Sequence, residues 1–112
     1  MILREIVERL DLEVRSGRDR LDSTVTGAYV SDLLSDAIGH AQEGQVWITL
    51  QVHPNIVAVA VLKELSGIIL VNNRQPEAET LEKAEKESIP LMVSRQPTFE
   101  LTGKLYMLLQ GC

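Results

Sequence analysis

Two short apolar runs with a longer apolar segment between them dominate the hydrophobic pattern of this chain. Residues 46–50 (VWITL) and 68–71 (IILV) are almost continuously apolar and rich in β-branched side chains, as is typical of strands covered on both faces. The stretch between them, residues 51–67, is long enough for the crossover that two parallel strands need. We therefore predict strand, helix and strand, with Pro54 in the first helical turn, where its missing N–H is no loss.

The predicted crossover helix contains seven consecutive apolar residues, 56–62, of which four are β-branched. The same run could form a strand that pairs back through a turn at residues 52–55, although the helix is the favoured interpretation. A helix that is apolar around its whole circumference must be buried on every side, which a domain of 112 residues rarely achieves alone. We therefore predict a homodimer through this helix. The expected interface residues are Ile56, Val57, Val59, Ala60 and Val61.

The rest of the pattern predicts an alternation of helices and strands. Residues 2–10 have the spacing of an amphipathic helix, residues 12–15 that of a half-exposed edge strand, and residues 25–30 and 89–93 that of further strands. Helices are expected after Ser31, after Pro76 and after Pro97. The first of these should bury a stripe formed by Leu33, Leu34, Ala37, Ile38 and Ala41. This order predicts a single layered α/β domain over residues 1–112, with a mainly parallel sheet and helices on both faces.

Composition and charge exclude several classes of protein. Hydrophobic residues make up 45% of the chain and charged residues 24%, which is ordinary for a globular protein. No apolar run approaches the roughly 20 residues of a membrane span, and charges at helical spacing replace the apolar core of a signal peptide. The single cysteine, Cys112, permits no internal disulfide, so we expect a cytoplasmic protein. A net charge of −5 argues against DNA or RNA as a partner.

Polar residues follow four of the predicted strands. In open α/β sheets, ligands bind beyond the carboxyl ends of the strands, where loops lead into helix N-termini. Free N–H groups there, with Arg95 as a charge partner, would suit a small anionic metabolite or nucleotide. In the alternative interpretation, several of these side chains only cap helices and turns. The candidate ligand-binding residues are Ser31, Asp32, Gln51, His53, Asn55, Asn72, Ser94 and Arg95.

No motif in the sequence demands catalysis. The phosphate-binding patterns GxxxxGKS/T and GxGxxG and the hydrolase pattern GxSxG are all absent. His53 could act as a general base with Asp32 or Gln51, but the further partners that a catalytic site needs are missing. Two histidines and one terminal cysteine are too few for a metal site. We therefore expect no enzymatic activity, no cofactor and no metal.

Three segments together resemble the DRTGG domain: TVTGAYVSDLLSDAIGHA, VWITLQVHPNIVAVAV and GIILVNNRQPEAETLEKAEKESIPL. Asp22, Thr26 and Gly27 match three letters of the family name, whereas Ser23 and Ala28 stand where its arginine and second glycine are expected. A function that depends on that arginine therefore does not follow from the resemblance. The resemblance is to the N-terminal domain of HPr kinase/phosphorylase and to the regulatory parts of CBS-domain pyrophosphatases and phosphotransacetylases. It implies an α/β fold, dimerisation and a regulatory role, and it leaves the ligand open.

Two functional hypotheses follow from the sequence. The first is a non-enzymatic, homodimeric regulatory module that senses a small anionic metabolite or nucleotide at the strand ends. The second is a protein–protein interaction module that docks on a metabolic enzyme or hydrogenase subunit and has no small-molecule ligand. The hydrogenase is what the resemblance implies, since some stand-alone domains of this family occur beside hydrogenase genes.

Overall fold

A computed structural model describes residues 1–111, so the predictions for Cys112 lie outside the described residues. The sheet is built from β1 (Glu13–Ser16), β2 (Gly27–Val30), β3 (Gln45–Thr49), β4 (Gly67–Leu70) and β5 (Leu91–Val93). These five strands lie in the order β1-β5-β4-β3-β2. Strands β2 to β5 are parallel, and β1 pairs with β5 in the antiparallel direction. The predicted mainly parallel sheet is confirmed.

Five α-helices cover the two faces of the sheet. They are α1 (Leu3–Arg9), α2 (Leu34–His40), α3 (Asn55–Leu62), α4 (Ala78–Lys86) and α5 (Thr98–Leu109), and a 3-10 helix spans Arg18–Arg20. Helices α2, α3 and α4 contribute to the hydrophobic core on one face, and α1 and α5 to the core on the other. None of these helices is long and apolar enough to cross a membrane within the described residues.

Strand β3 lies between β4 and β2 and is covered on both faces, which explains why its sequence is continuously apolar. Val46 and Ile48 belong to the core beneath α1 and α5, whereas Trp47 belongs to the core beneath α2, α3 and α4. All three side chains are 0% exposed. Because successive side chains of a strand point to opposite faces, burial of both faces removes the alternation that a half-exposed strand would show.

Helix α3 confirms the helical interpretation of residues 56–62, but it corrects the residues expected at a dimer interface. Ile56, Val57, Val59 and Ala60 are at most 5% exposed within the single chain, so they are not available to a partner. Val61 is 43% exposed, and Leu62 is 65% exposed. The prediction underestimated the cover that one chain supplies, because the sheet lies beneath α3 and both α2 and α4 contact it. The dimer stays a prediction, and the outward face of α3 is the part open to a partner.

The apolar stripe expected on α2 is only partly buried. Ala37 and Ala41 are fully buried, but Leu33 is 67% exposed and Ile38 is 42% exposed. The helix begins later than expected, at Leu34, so Ser31 is not its N-cap. Instead, the Ser31 hydroxyl accepts a hydrogen bond from the Leu33 N–H at 3.1 Å and closes a turn before the helix.

Candidate ligand site at the carboxyl ends of the strands

The predicted ligand residues lie in loops that follow the four parallel strands. Ser31 and Asp32 follow β2, Gln51 to Asn55 follow β3 and begin α3, and Asn72 follows β4. Ser94 and Arg95 follow β5. Because parallel strands end at the same edge of a sheet, all eight residues belong to one edge of the molecule, as predicted.

The loops after β2 and β3 are bound to each other by side chains that were predicted to contact a ligand. The Asp32 carboxylate accepts hydrogen bonds from the Leu50 N–H at 2.8 Å and from the Thr49 hydroxyl at 3.1 Å. The Gln51 amide donates to the Asp32 carbonyl oxygen at 2.9 Å. These side chains therefore already serve to join two loops.

Two other candidates bind backbone N–H groups of their own loops. The Nδ1 atom of His53 accepts a hydrogen bond from the Asn55 N–H at 3.1 Å, and the Ser94 hydroxyl accepts one from the Gln96 N–H at 3.1 Å. Ser94 is only 1% exposed. Together with the turn at Ser31, these bonds match the alternative in which polar side chains cap turns and helix ends.

The loops after β4 and β5 are joined through their backbones. Asn72 and Asn73 adopt left-handed conformations with φ of 57° and 54°, which asparagine tolerates better than most residues. Their N–H groups donate to the carbonyl oxygens of Gln96 at 2.9 Å and Ser94 at 2.8 Å. Since the backbone makes these bonds, both asparagine side chains stay exposed at the edge of the sheet.

A cleft of about 450 Å³ opens beside these two loops. Strand β1 runs antiparallel to β5, with Glu13 paired to Val93, so the residues that precede β1 meet the residues that follow β5. A hydrogen bond from the Arg15 guanidinium to the Gln75 side chain links β1 to the loop after β4. The cleft thus combines one guanidinium with two carboxylates and two amides. Its lining consists of Asp11, Glu13, Asn73, Gln75, Val93 and Arg95.

Sequence reasoning placed Arg95 at this edge but missed Asp11, Glu13 and Gln75 as part of the site. The alternation at residues 12–15 identified an edge strand without identifying its partner. Only the pairing of β1 with β5 brings Asp11 and Glu13 to the carboxyl ends of the parallel strands. Recognition of that antiparallel pairing would have identified these residues, because the pairing determines which end of β1 lies at the site.

A second polar cluster lies between β2 and α2. The Tyr29 hydroxyl donates to Asp36 Oδ2 at 2.7 Å, and the His40 ring, which stacks on the Tyr29 ring, places Nδ1 3.1 Å from Asp36 Oδ1. The hydrogen bond to Asp36 raises the pKa of Tyr29, with burial as a further cause. The hydrogen bonds from Tyr29 and Ser31 lower the pKa of Asp36. The cluster fixes α2 against the sheet, and the sequence pattern gave no indication of it.

The residues that match letters of the DRTGG motif lie at the other end of the sheet from the cleft. Asp22 forms an ion pair with Arg4 at 2.9 Å, and this contact lowers the pKa of the Asp22 carboxyl. The Thr26 hydroxyl donates to the Glu43 carbonyl oxygen at 3.1 Å, just before β2 begins. These contacts hold the loops at the amino ends of the strands, so the motif has a structural explanation in this chain.

No group of three or more His, Cys, Asp or Glu side chains within residues 1–111 is arranged to hold a metal ion.

Comparison with known proteins agrees with this architecture. No curated protein matches the chain. A solved structure of the CBS and DRTGG domains from the regulatory region of Clostridium perfringens pyrophosphatase, complexed with the activator diadenosine tetraphosphate, has a TM-score of 0.72 and 19% sequence identity. The match covers 91% of this chain and 44% of that one, so this chain spans less than half of its structural neighbour. The family model of the DRTGG domain matches residues 5–108, and the chain therefore belongs to the DRTGG domain family.

Proposed function

We propose that this chain is a cytoplasmic, homodimeric regulatory module without catalytic activity that binds a small anionic metabolite or nucleotide at the carboxyl ends of β4 and β5. The observation that carries the ligand proposal is the cleft that contains Arg95 together with Asp11 and Glu13. Its volume of about 450 Å³ falls within the usual range of small-molecule sites.

The side chains of the cleft favour a nucleotide over a simple anion. The Arg95 guanidinium is a planar, permanently charged donor that suits a phosphate group. Asp11 and Glu13 repel further negative charge, but their carboxylates accept hydrogen bonds from ribose hydroxyls or from the amino group of a base. A ligand with a phosphate at one end and neutral donors at the other therefore fits this lining better than inorganic phosphate does.

The structural neighbour supports nucleotides as the first ligands to test. That pyrophosphatase region contains CBS domains as well as the DRTGG domain and is complexed with a dinucleotide activator. A regulatory role for this chain rests on its family membership, and the site is assigned from the cleft of this chain alone.

The engagement of the candidate polar side chains supports a non-enzymatic role. The Nδ1 atom of His53 already accepts the Asn55 N–H, and the Asp32 carboxylate already accepts the Leu50 N–H. The Nδ1 atom of His53 and the Oδ1 atom of Asp32 thus have a structural role that needs no catalysis, which favours a non-enzymatic module.

Thermal unfolding with AMP, ADP, ATP and diadenosine tetraphosphate tests the ligand proposal, with inorganic phosphate as the comparison. A ligand present at 100 times its Kd should stabilise the protein by about 2.7 kcal/mol, which is on the order of 10 °C for a chain of this size. Arg95→Gln should abolish this shift. Arg74→Gln is the matched control, because Arg74 is an exposed arginine of the adjacent loop outside the cleft lining. No stabilisation by any nucleotide, or equal loss in both variants, would refute the proposed site.

A second candidate function is docking on a metabolic enzyme or hydrogenase subunit without a small-molecule ligand. The observation that favours it is an apolar surface on β2 and α5, where Val30 is 44%, Tyr106 62% and Phe99 85% exposed. Exposed apolar groups that cluster in this way often mark protein contacts. Binding of such a subunit that Phe99→Ser abolishes, together with no response to the nucleotide panel, would favour docking over ligand sensing.

A further inference from the structure

The two edge strands of the sheet, β1 and β2, differ in how well they are protected from further pairing. Each has four residues, so length does not distinguish them. Strand β1 carries the charges of Glu13 and Arg15, and its register with β5 shifts between Val14 and Ser16. Charges and bulges of this kind protect many natural sheets from edge-to-edge pairing. Strand β2, with the sequence GAYV, has no charge, no proline and a regular register with β3, so it is the unprotected edge.

The outer side of β2 offers backbone groups for hydrogen bonding. The Ser31 N–H donates to the Ile48 carbonyl oxygen at 3.2 Å, so the backbone of Ser31 faces β3. Because successive residues of a strand direct their N–H and C=O groups to opposite sides, those of Val30 and Ala28 point away from β3. Among the described residues no strand lies on that side of β2. The chain's own N-terminal segment pairs with residues 23–25 only, before β2 begins.

An apolar groove runs along this edge on the face of the sheet that α5 covers. It consists of two adjoining depressions of about 390 and 590 Å³, which share Val30, Thr102 and Tyr106. The exposed side chain of Phe99 borders the larger one. Since the side chains of a strand alternate between the two faces of a sheet, every second side chain of a strand added to β2 would enter this groove. Apolar side chains at those positions would cover the exposed apolar residues of β2 and α5.

The opposite face of the same edge is polar. Tyr29 lies on this face, and its hydroxyl donates to the carboxylate of Asp36, which stays partly exposed. The remaining side chains of an added strand would lie near this carboxylate, so lysine or arginine is complementary there. An extended segment in which apolar and basic residues alternate therefore matches both faces of the edge.

A second copy of β2 would not fill the groove. The β2 side chains on this face are Ala28 and Val30, and both already lie beside the α5 helix of their own chain. If two copies paired edge to edge, these side chains would stay beneath their own helix and leave the groove of the other copy empty. The groove therefore fits a segment that has no helix over its apolar side chains, such as an extended tail or loop of a different protein.

We propose that the outer edge of β2 binds an extended segment of another protein, which adds a strand to the sheet and alternates apolar with basic side chains. Its backbone pairs with Ala28 and Val30, its apolar side chains fill the groove between β2 and α5, and its basic side chains lie near Asp36. In strand addition, backbone hydrogen bonds supply affinity, and pockets for alternate side chains supply specificity. This inference deepens the docking candidate of the proposed function, and it does not depend on the ligand cleft.

Amide hydrogen exchange of the protein alone, measured by NMR, tests the open edge first. The N–H groups of Ala28 and Val30 should exchange about tenfold or more faster than that of Tyr29, which faces β3. Slow exchange of both groups at every protein concentration would show that the chain itself occupies the edge, which overturns the proposal. Protection that appears only as the concentration rises would show that a second copy occupies the edge, which also overturns it.

A hexapeptide of alternating valine and lysine residues with blocked termini then tests the added strand. Its titration should shift the amide signals of Ala28 and Val30 and slow the exchange of both. The control peptide has the same composition, with three valines followed by three lysines. It should bind about tenfold or more weakly, because its apolar side chains cannot all lie on one face of a strand. Equal binding of the two peptides, or no binding of the alternating one at millimolar concentration, overturns the proposal.

Two variants locate the peptide on the protein. Val30→Lys and Val61→Lys form a matched pair, since Val30 is 44% and Val61 43% exposed. Val30→Lys should raise the Kd of the alternating peptide by about tenfold or more, and Val61→Lys, on α3, should leave it unchanged. Equal effects of the pair would overturn the proposed location.

Ala28→Pro tests the backbone contribution by itself. It removes an N–H that points away from β3, and proline is tolerated at such positions of edge strands. The variant should therefore keep its fold, which circular dichroism verifies, and should weaken peptide binding by about tenfold or more. Unchanged peptide binding in both Ala28→Pro and Val30→Lys overturns strand addition.

The outcomes separate this inference from the proposed function. A chain that binds a nucleotide through Arg95 but does not bind the alternating peptide overturns strand addition alone. A chain that binds the peptide and responds to no nucleotide refutes the ligand site and supports strand addition. A subunit that docks in a manner sensitive to Phe99→Ser, while Ala28→Pro has no effect on its binding, would show that a folded surface covers the groove. That result keeps the docking candidate and overturns strand addition.

Discussion

The Asp32 carboxylate accepts a hydrogen bond from the Leu50 N–H at 2.8 Å, across the gap between the loops that follow β2 and β3. The same Oδ1 atom accepts the Thr49 hydroxyl at 3.1 Å. Asp32 precedes α2, Thr49 ends β3 and Leu50 directly follows it, so one carboxylate fixes the entry to a helix against the end of the neighbouring strand. A side chain predicted to meet a ligand thus has a structural role that needs no ligand.

Replacement of Asp32 tests this role. Asp32→Ala should lower the free energy of unfolding by about 1 kcal/mol, because the Leu50 N–H and the Thr49 hydroxyl lose a charged acceptor at a partly hydrated site. Asp32→Asn keeps an oxygen acceptor and should cost less. Urea unfolding measures both, with the exposed Asp19→Ala in the 3-10 helix as the control. Equal stability of Asp32→Ala and the wild type would show that the two hydrogen bonds contribute nothing.

The sequence predicted the order and type of the elements well, because their physical signals are local. Continuous apolar runs at β3 and β4 and a stripe of leucines on α5 do not depend on which elements become neighbours. The lining of the ligand cleft does depend on which elements become neighbours, since Asp11 and Glu13 reach the site only through the pairing of β1 with β5. The exposure of Leu62 likewise follows from how closely α2 and α4 flank α3, which no local pattern encodes.

Gly17 offers a prediction about backbone conformation. Its φ of 70° lies in the left-handed region, and an added Cβ would lie 2.5 Å from the carbonyl carbon of Ile89 and would also clash with Pro90. Gly17→Ala should therefore lower the free energy of unfolding by about 3 kcal/mol, because both the backbone conformation and the segment before β5 oppose the methyl group.

Gly103 provides the matched comparison for Gly17→Ala. It lies within α5, and an added Cβ would have nothing within 4 Å. Gly103→Ala should raise the free energy of unfolding by about 0.5–1 kcal/mol, the usual gain in an exposed helix interior. Urea unfolding of both variants checks the pair, and a similar change at the two sites would contradict the conformational explanation.

The hydrogen bond between Tyr29 and Asp36 should make the stability of the fold depend on pH at both ends of the scale. The pKa of Asp36 is lowered from its ordinary value of 3.8, so its stabilisation is full above that pH and is lost as the pH falls through the folded pKa. The pKa of Tyr29 is raised from 10.0, so its stabilisation is full below that pH and is lost as the pH rises through the folded pKa.

Tyr29→Phe isolates this contribution. The difference in unfolding free energy between the variant and the wild type should be largest near neutral pH and should shrink towards both extremes. NMR titration of the Asp36 carboxyl carbon should show its pKa rising in the variant, although His40 and Ser31 keep part of the original depression. An unchanged Asp36 pKa in Tyr29→Phe would contradict the assignment of this hydrogen bond as the main cause.

Thr102 provides the last prediction, since its hydroxyl is the one buried side-chain oxygen or nitrogen without a hydrogen-bond partner within residues 1–111. The residue lines the surface depression between β2 and α5, together with Val30 and Tyr106. Burying a hydroxyl without a partner has a cost, and valine has nearly the same shape without the polar atom. Thr102→Val should therefore raise the free energy of unfolding by about 1 kcal/mol, measured by urea unfolding.

Thr98→Val, at a half-exposed threonine of the same helix, is the control and should change stability little. A loss of stability in Thr102→Val would show that the hydroxyl is satisfied in solution, whereas a gain would mark Thr102 as a position where a polar group is kept at the expense of the fold.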